Sequence, residues 1–259
     1  MGGVIQPTTK EELQYEIKIK LDKGQTNLNY IDTSEITDMS RLFEPFRKYD
    51  LSKIDISKWN VSNVEDMHNM FILCESFNCD LSKWDVRNVQ DMTNMFNGCK
   101  IFNSDLSKWN TSKVESMESM FNDCFKFNSD LSKWDVRKVE SMSYMFDNCI
   151  NFNSDLSKWN VSKVEDMSSM FYNCFKFDSD LSKWDVSSVC NMGRMFYNCS
   201  NFNSDLSHWN VSSVKDMSRM LSGCIKFNCD LSGWDIGNVV YMDDMLVGTD
   251  IDEKPEWYY

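Results

Sequence analysis

From Val89 the apolar positions fall at Met92, Met95, Phe96 and Cys99, spacings of 0, 3, 6, 7 and 10 that predict one buried face of a short helix. Asp91 stands where it would cap that helix, and its equivalents Asp66, Ser116, Ser141, Asp166, Asn191 and Asp216 are all capping types. The stretch before it reads L-x-x-W-x-V-x-x-V from Leu81 to Val89. Trp84 and Val86 alternate with Lys83, Asp85 and Arg87, the pattern of a short strand with one buried face.

This frame returns every 25 residues. Trp59, Trp84, Trp109, Trp134, Trp159, Trp184, Trp209 and Trp234 keep the step, as do columns of Val, Met, Phe, Asp and Ser, and the seven cysteines from Cys74 to Cys224. No insertion breaks the register from Trp59 to Leu246, so each coil is expected to stack directly on the last. A 50-residue period lies on top: Asn follows Trp at 60, 110, 160 and 210, and Asp follows it at 85, 135, 185 and 235. The expected fold is a right-handed α/β solenoid, leucine-rich-repeat-like, with one short parallel strand and one short helical turn per 25 residues. Eight coils at roughly 4.8 Å each would span about 40 Å.

The ends depart from the frame. Residues 8–23 read as a helix with Thr9 and Glu12 as a capping box, Leu13, Ile17 and Leu21 on one face, and Gly24 as its stop. "IDTSEITDMSRLF" (31–43) is a degenerate first half-repeat, and Phe43 to Trp59 is 16 residues where Phe71 to Trp84 is 13. The expected organisation is a helical cap over 1–37, a solenoid over 38–246 and a closing cap over 247–259.

The frame "DLSKWDV…V…DM…MF…C…FN", preceded by "TKEEL" and "IDTSEITDMSRLF", resembles the BspA-like leucine-rich-repeat surface proteins in their 25-residue variant, long catalogued as a domain of unknown function. The resemblance runs from Thr9 to Pro255. It implies a leucine-rich-repeat fold, occurrence on bacterial surfaces, in protists or in large DNA viruses, and adhesion or protein binding without catalysis.

Composition narrows the partners. Acids outnumber bases 40 to 27, for a net charge of −13, which disfavours nucleic acid and anionic membrane surfaces. No apolar run is long enough to span a bilayer. The start, "MGGVIQPTTKEELQ", lacks the basic segment and apolar core of a secretory signal, and Gln6 stands where a myristoylation site takes Ser or Thr after Gly2. The expected location is the cytoplasm or a viral particle, or the cell surface if an export signal was removed. Seven cysteines in one column cannot all pair, and they fill a small apolar slot, so free thiols are expected.

Each conspicuous residue type has a structural reading. The tryptophans share a face with Val86 and Val89 and form a buried ladder, their indole N–H groups served by Ser or Asp columns. Cys79 and Cys229 occupy a Ser column read as a small-residue slot. The Met pairs fill core, and Asp80 and the Asn78 column bond turn backbone. There is no C-x-x-C, and His68 and His208 are the only histidines, so no metal and no cofactor are expected. Neither a catalytic triad nor a nucleotide loop is evident, and no enzyme is expected.

What remains for function is the outward set on the concave face: Lys58, Asn60, Lys83, Asp85, Arg87, Lys108, Asn110, Lys133, Asp135, Arg137, Lys158, Asn160, Lys183 and Asp185. The expected role is protein–protein interaction or adhesion through this surface, with a protein or glycan partner. The competing expectation is a structural component of a viral particle or other assembly, with self-association left open.

Overall fold

The computed structural model describes residues 5–259; Gly2 and the first four residues of the expected N-terminal cap lie outside them. The chain winds as a stack of 25-residue coils joined by parallel bridges one residue wide, running Asp66↔Asp91, Asp91↔Ser116 and so on to Asp216↔Tyr241. The solenoid and its parallel pairing thus match the sequence reading.

The interior of each coil is built differently from that reading. The segment expected to be helical is a run of turns. Met95, Asn97 and Cys99 donate their N–H groups three residues back, to Met92, Asn94 and Phe96. The alternate N–H groups leave the coil altogether: Met92, Asn94, Phe96 and Gly98 donate to the carbonyls of Ser116, Glu118, Met120 and Asn122 in the next coil at 2.8–3.1 Å. A helix would send every N–H four residues back and spare none for a neighbour. Two left-handed residues per coil, here Asn94 (φ 54°) and Gly98 (φ 77°), interrupt the helical path. The expected strand at Trp84–Val86 forms no backbone bridge; the pairing sits at the Asp91 column, which bonds in the ladder and does not cap a helix.

Around Trp84 side chains make the rungs instead. Leu81 donates its N–H to Ser104 Oγ at 2.8 Å, and its carbonyl accepts the indole N–H of Trp109 at 3.1 Å. The acceptor for each indole is therefore a backbone carbonyl one coil back, not the Ser or Asp columns. Each thiol in the column acts likewise, as Cys99 donates to the Phe71 carbonyl at 3.1 Å. Segments without a backbone ladder thereby keep their buried polar groups paired.

The core is a set of in-register stacks. Trp109 and Trp134 lie parallel with centroids 6.3 Å apart, and Phe96 and Phe121 at 5.7 Å. The eight repeat tryptophans, Trp59 to Trp234, are 3–4 % exposed, which makes them a spine.

Both ends are closed in part. Helix α1, Lys10–Asp22, starts at Thr9, whose Oγ1 accepts the Glu12 N–H, while the Glu12 carboxylate accepts the Thr8 N–H. It buries Leu13, Ile17 and Leu21, and Gly24 (φ 69°) ends it. Gln14 donates to the carbonyls of Arg41 and Leu42 on the first coil. After Ile5↔Ile31, the next bridges step by 28 residues, Asn27↔Asp55 and Asp38↔Asp66, and a 3₁₀ turn at Glu44–Phe46 lies within the longer loop. At the far end Trp257 stacks on Trp234 at 6.5 Å and donates to the Leu231 carbonyl, continuing the tryptophan column. Tyr258 Oη accepts the Leu246 N–H.

Candidate interaction surface

The alternation that buries Leu81, Trp84 and Val86 turns the intervening side chains outward. Lys58, Lys83, Lys108, Lys133, Lys158 and Lys183 are exposed in one column, with Asn60, Asn110, Asn160 and Asp185 exposed beside them and Asp85 and Asp135 half-buried. The structure brings these positions into rows because the coils are in register.

Much of the second row is committed internally. Arg87 Nε lies 2.8 Å from Asp85 Oδ1, and Arg137 Nη2 lies 2.7 Å from Asp135 Oδ2. The guanidinium hydrogen bond holds each Asp below the usual carboxylate range. Asn60 and Asn160 accept from the N–H and hydroxyl of Ser62 and Ser162, and Asp185 does the same for Ser187. Such i to i+2 contacts shape the turn. The Asp80 column behaves the same way, Ser82 N–H to Asp80 Oδ1 at 2.9 Å, as the sequence suggested. Among the described residues no ion pair engages the Lys58–Lys183 column.

A second surface was not singled out from sequence. The residue after each column cysteine varies, and in consecutive coils it is Phe125, Ile150 and Phe175, then Ser200 and Ile225. Phe175 is 42 % exposed and Ile225 61 %, with Leu73 and Ile101 exposed in the earlier coils. Beside them Tyr172 and Tyr197 stack at 4.8 Å. The available signal was this change of residue type next to an unchanging Cys and Phe. Lys176 and Lys226 flank this edge, each held by an Asn of the coil before, at 2.7 Å. Asp147 lies close by, half-buried, its carboxyl pushed up to about 7 by burial and by Asp123.

The ten cysteines are free thiols, and burial pushes those of the column up, Cys74 and Cys224 to about 12. No helix is long and apolar enough to cross a membrane among the described residues.

Among solved structures, the chain is similar to TLR13 in its complex with ssRNA13 (10 % identity, 92 % of this chain and 38 % of that one, TM-score 0.29). It is also similar to a leucine-rich cell surface protein from Faecalibacterium prausnitzii (12 %, 79 % and 66 %, 0.33). A leucine-rich-repeat protein from Eubacterium ventriosum is a third (12 %, 76 % and 59 %, 0.36). The chain thus spans 38 %, 66 % and 59 % of the lengths of these three. No match was found among curated proteins. The model of the family described as "Mycoplasma protein of unknown function, DUF285" matches residues 14–124, 102–189 and 176–255. These matches run through the regular coils that the structure stacks, and the chain belongs to the DUF285 repeat family.

Proposed function

We propose that this protein is a non-enzymatic interaction module that binds a protein partner along its solenoid surface, in the manner of an adhesin. The observation that carries this reading is the exposed apolar edge at Ile150, Phe175 and Ile225. Burying such an edge releases about 25 cal/mol per Å² of apolar area, whereas the Arg87–Asp85 and Arg137–Asp135 pairs gain little from a partner because they already satisfy each other. The Lys83, Lys133 and Lys183 column supplies charge that steers an acidic partner.

The structural-component reading is less well supported. End-to-end stacking needs an open carbonyl row on the first coil, and Gln14 of α1 already donates to Arg41 and Leu42 there.

The test is quantitative binding of a partner recovered from the native source to three forms: wild type, I150E/F175E and K83E/K133E/K183E. Loss of at least tenfold in affinity in I150E/F175E, with a smaller and salt-dependent loss in the lysine variant, supports the reading. Equal affinity of all three forms, or residue-dependent turnover of any substrate, would overturn it.

A further inference from the structure

The column that carries the backbone bridges runs Asp38, Asp66, Asp91, Ser116, Ser141, Asp166, Asn191, Asp216. Acidic residues directly opposite one another across a ladder repel, and most of this column avoids it. Ser116 and Ser141 separate Asp91 from Asp166, and Asn191 separates Asp166 from Asp216 while donating to Asp166. At the start of the column, three carboxylates follow each other without a break. Lys10 neutralises the first, its Nζ 2.6 Å from Asp38 Oδ2. Asp66 and Asp91 have no such lysine.

What they have is His68. Its Nδ1 lies 2.8 and 3.0 Å from the two carboxylate oxygens of Asp66. One ligand atom from each of Asp66, His68 and Asp91 falls within 4.8 Å of the others. As its Nδ1–H tautomer His68 donates to Asp66; with the proton on Nε2, Nδ1 presents its lone pair beside the carboxylate, and a metal ion can take the place between them. Bonds of about 2.0–2.2 Å hold the ligands of one first-row ion within about 4.4 Å of each other, so donors up to 4.8 Å apart need close by only a few tenths of an ångström to share it. All three side chains are half-buried, which leaves room for water to complete the coordination.

We propose that Asp66, His68 and Asp91 form a binding site for a divalent first-row transition-metal ion of the Zn²⁺ class, clamping two adjacent coils. Two carboxylates and one imidazole balance the charge of such an ion and relieve the repulsion that the register imposes. Sequence spacing could not show the site, because Asp91 reaches it from the next coil.

The repeat supplies its own replacements for the test. The His68 position is Ser40, Ser143, Ser168 and Ser218 in other coils, and the Asp91 position is Ser116 and Ser141, so H68S and D91S keep residues the coil already accepts. With only two histidines, imidazole NMR reads the site directly. In a C190S background, which removes the exposed thiol, Zn²⁺ is titrated into the whole chain. His68 resonances should shift saturably with one equivalent while those of His208 stay put, and D91S should raise the zinc midpoint by more than about tenfold. H68S should remove one bound ion in calorimetry. If the two histidines respond alike, if His68 does not respond, or if D91S leaves the midpoint unchanged, His68 is a hydrogen-bond partner of Asp66 only and the proposal fails.

Discussion

Ser154→Ala separates a space-filling role for the serine column from a bonding one. Leu131 is buried and donates its N–H to Ser154 Oγ at 2.8 Å, and Ser154 is 6 % exposed. The same rung joins Leu81 to Ser104, Leu106 to Ser129, Leu156 to Ser179 and Leu181 to Ser204, each at 2.8 Å. Where Cys fills the slot the bond is longer, 3.4 Å from Ile56 to Cys79 and 3.3 Å from Leu206 to Cys229. Alanine keeps the methylene position and removes the acceptor. The vacated volume is one oxygen, too small to admit a water. The Leu131 N–H is then buried without a partner, at a cost of about 1–3 kcal/mol. Ser154→Cys should fall between alanine and wild type. Repeat arrays can unfold in parts, so a global midpoint is a blunt reading. Hydrogen exchange at the Leu131 amide is local, and the expected penalty speeds it about 5- to 150-fold. Exchange within about twofold of wild type in both variants would refute the bonding role and leave serine as a mere small residue.

Three further outcomes follow from the same coils. A thiol reagent should label Cys190 at once and Cys229 slowly in the folded protein, and all ten cysteines in urea, because the column thiols are buried and held protonated; rapid native labelling of the column would contradict this. Leu73 holds φ 59° while 45 % exposed, where later coils place Gly98, Asn148 and Gly223, so Leu73→Asn should stabilise by about 1 kcal/mol in urea unfolding, and a loss of stability would count against the strain. Asp147 has a folded pKa of about 7 against 3.8, so the native state holds its proton longer than the unfolded chain, and stability falls as pH rises from 4 to 7. Solvent access trims the penalty to ~1–3 kcal/mol above pH 7, and Asp147→Asn, the residue at 97 and 122, should remove it and flatten the Tm profile over that window.

The repeat length, the buried tryptophans and the inward set were readable because they depend on which side chains recur, and burial leaves a direct mark on residue type. The helix was misread for a physical reason. Turns closed by N–H groups three residues back, with left-handed residues between them, bring Val89, Met92, Met95, Phe96 and Cys99 to one side at spacings a helix would also give. Periodicity reports the face and is silent about where the N–H groups go. One clue was present: the position of Gly98, Asn148, Asn173, Asn198, Gly223 and Gly248 holds residues that tolerate positive φ. The other left-handed position holds Asn69 and Asn94 but also Ser119, Tyr144, Ser169, Arg194 and Arg219, which carry no such mark.

The apolar edge and the Asp66–His68–Asp91 cluster were hidden for a related reason, since both assemble from residues a full coil apart. A linear reading groups neighbours in sequence, whereas this fold makes neighbours of residues 25 apart. Functional candidates therefore lie in column breaks. Where a column holds its residue, the coil is being built: Trp donates to Leu, Ser accepts from Leu, and Cys donates to Phe. Where a column changes, as at His68 or at Phe125, Ile150 and Phe175, stacking does not require that residue, and some other demand is free to choose it.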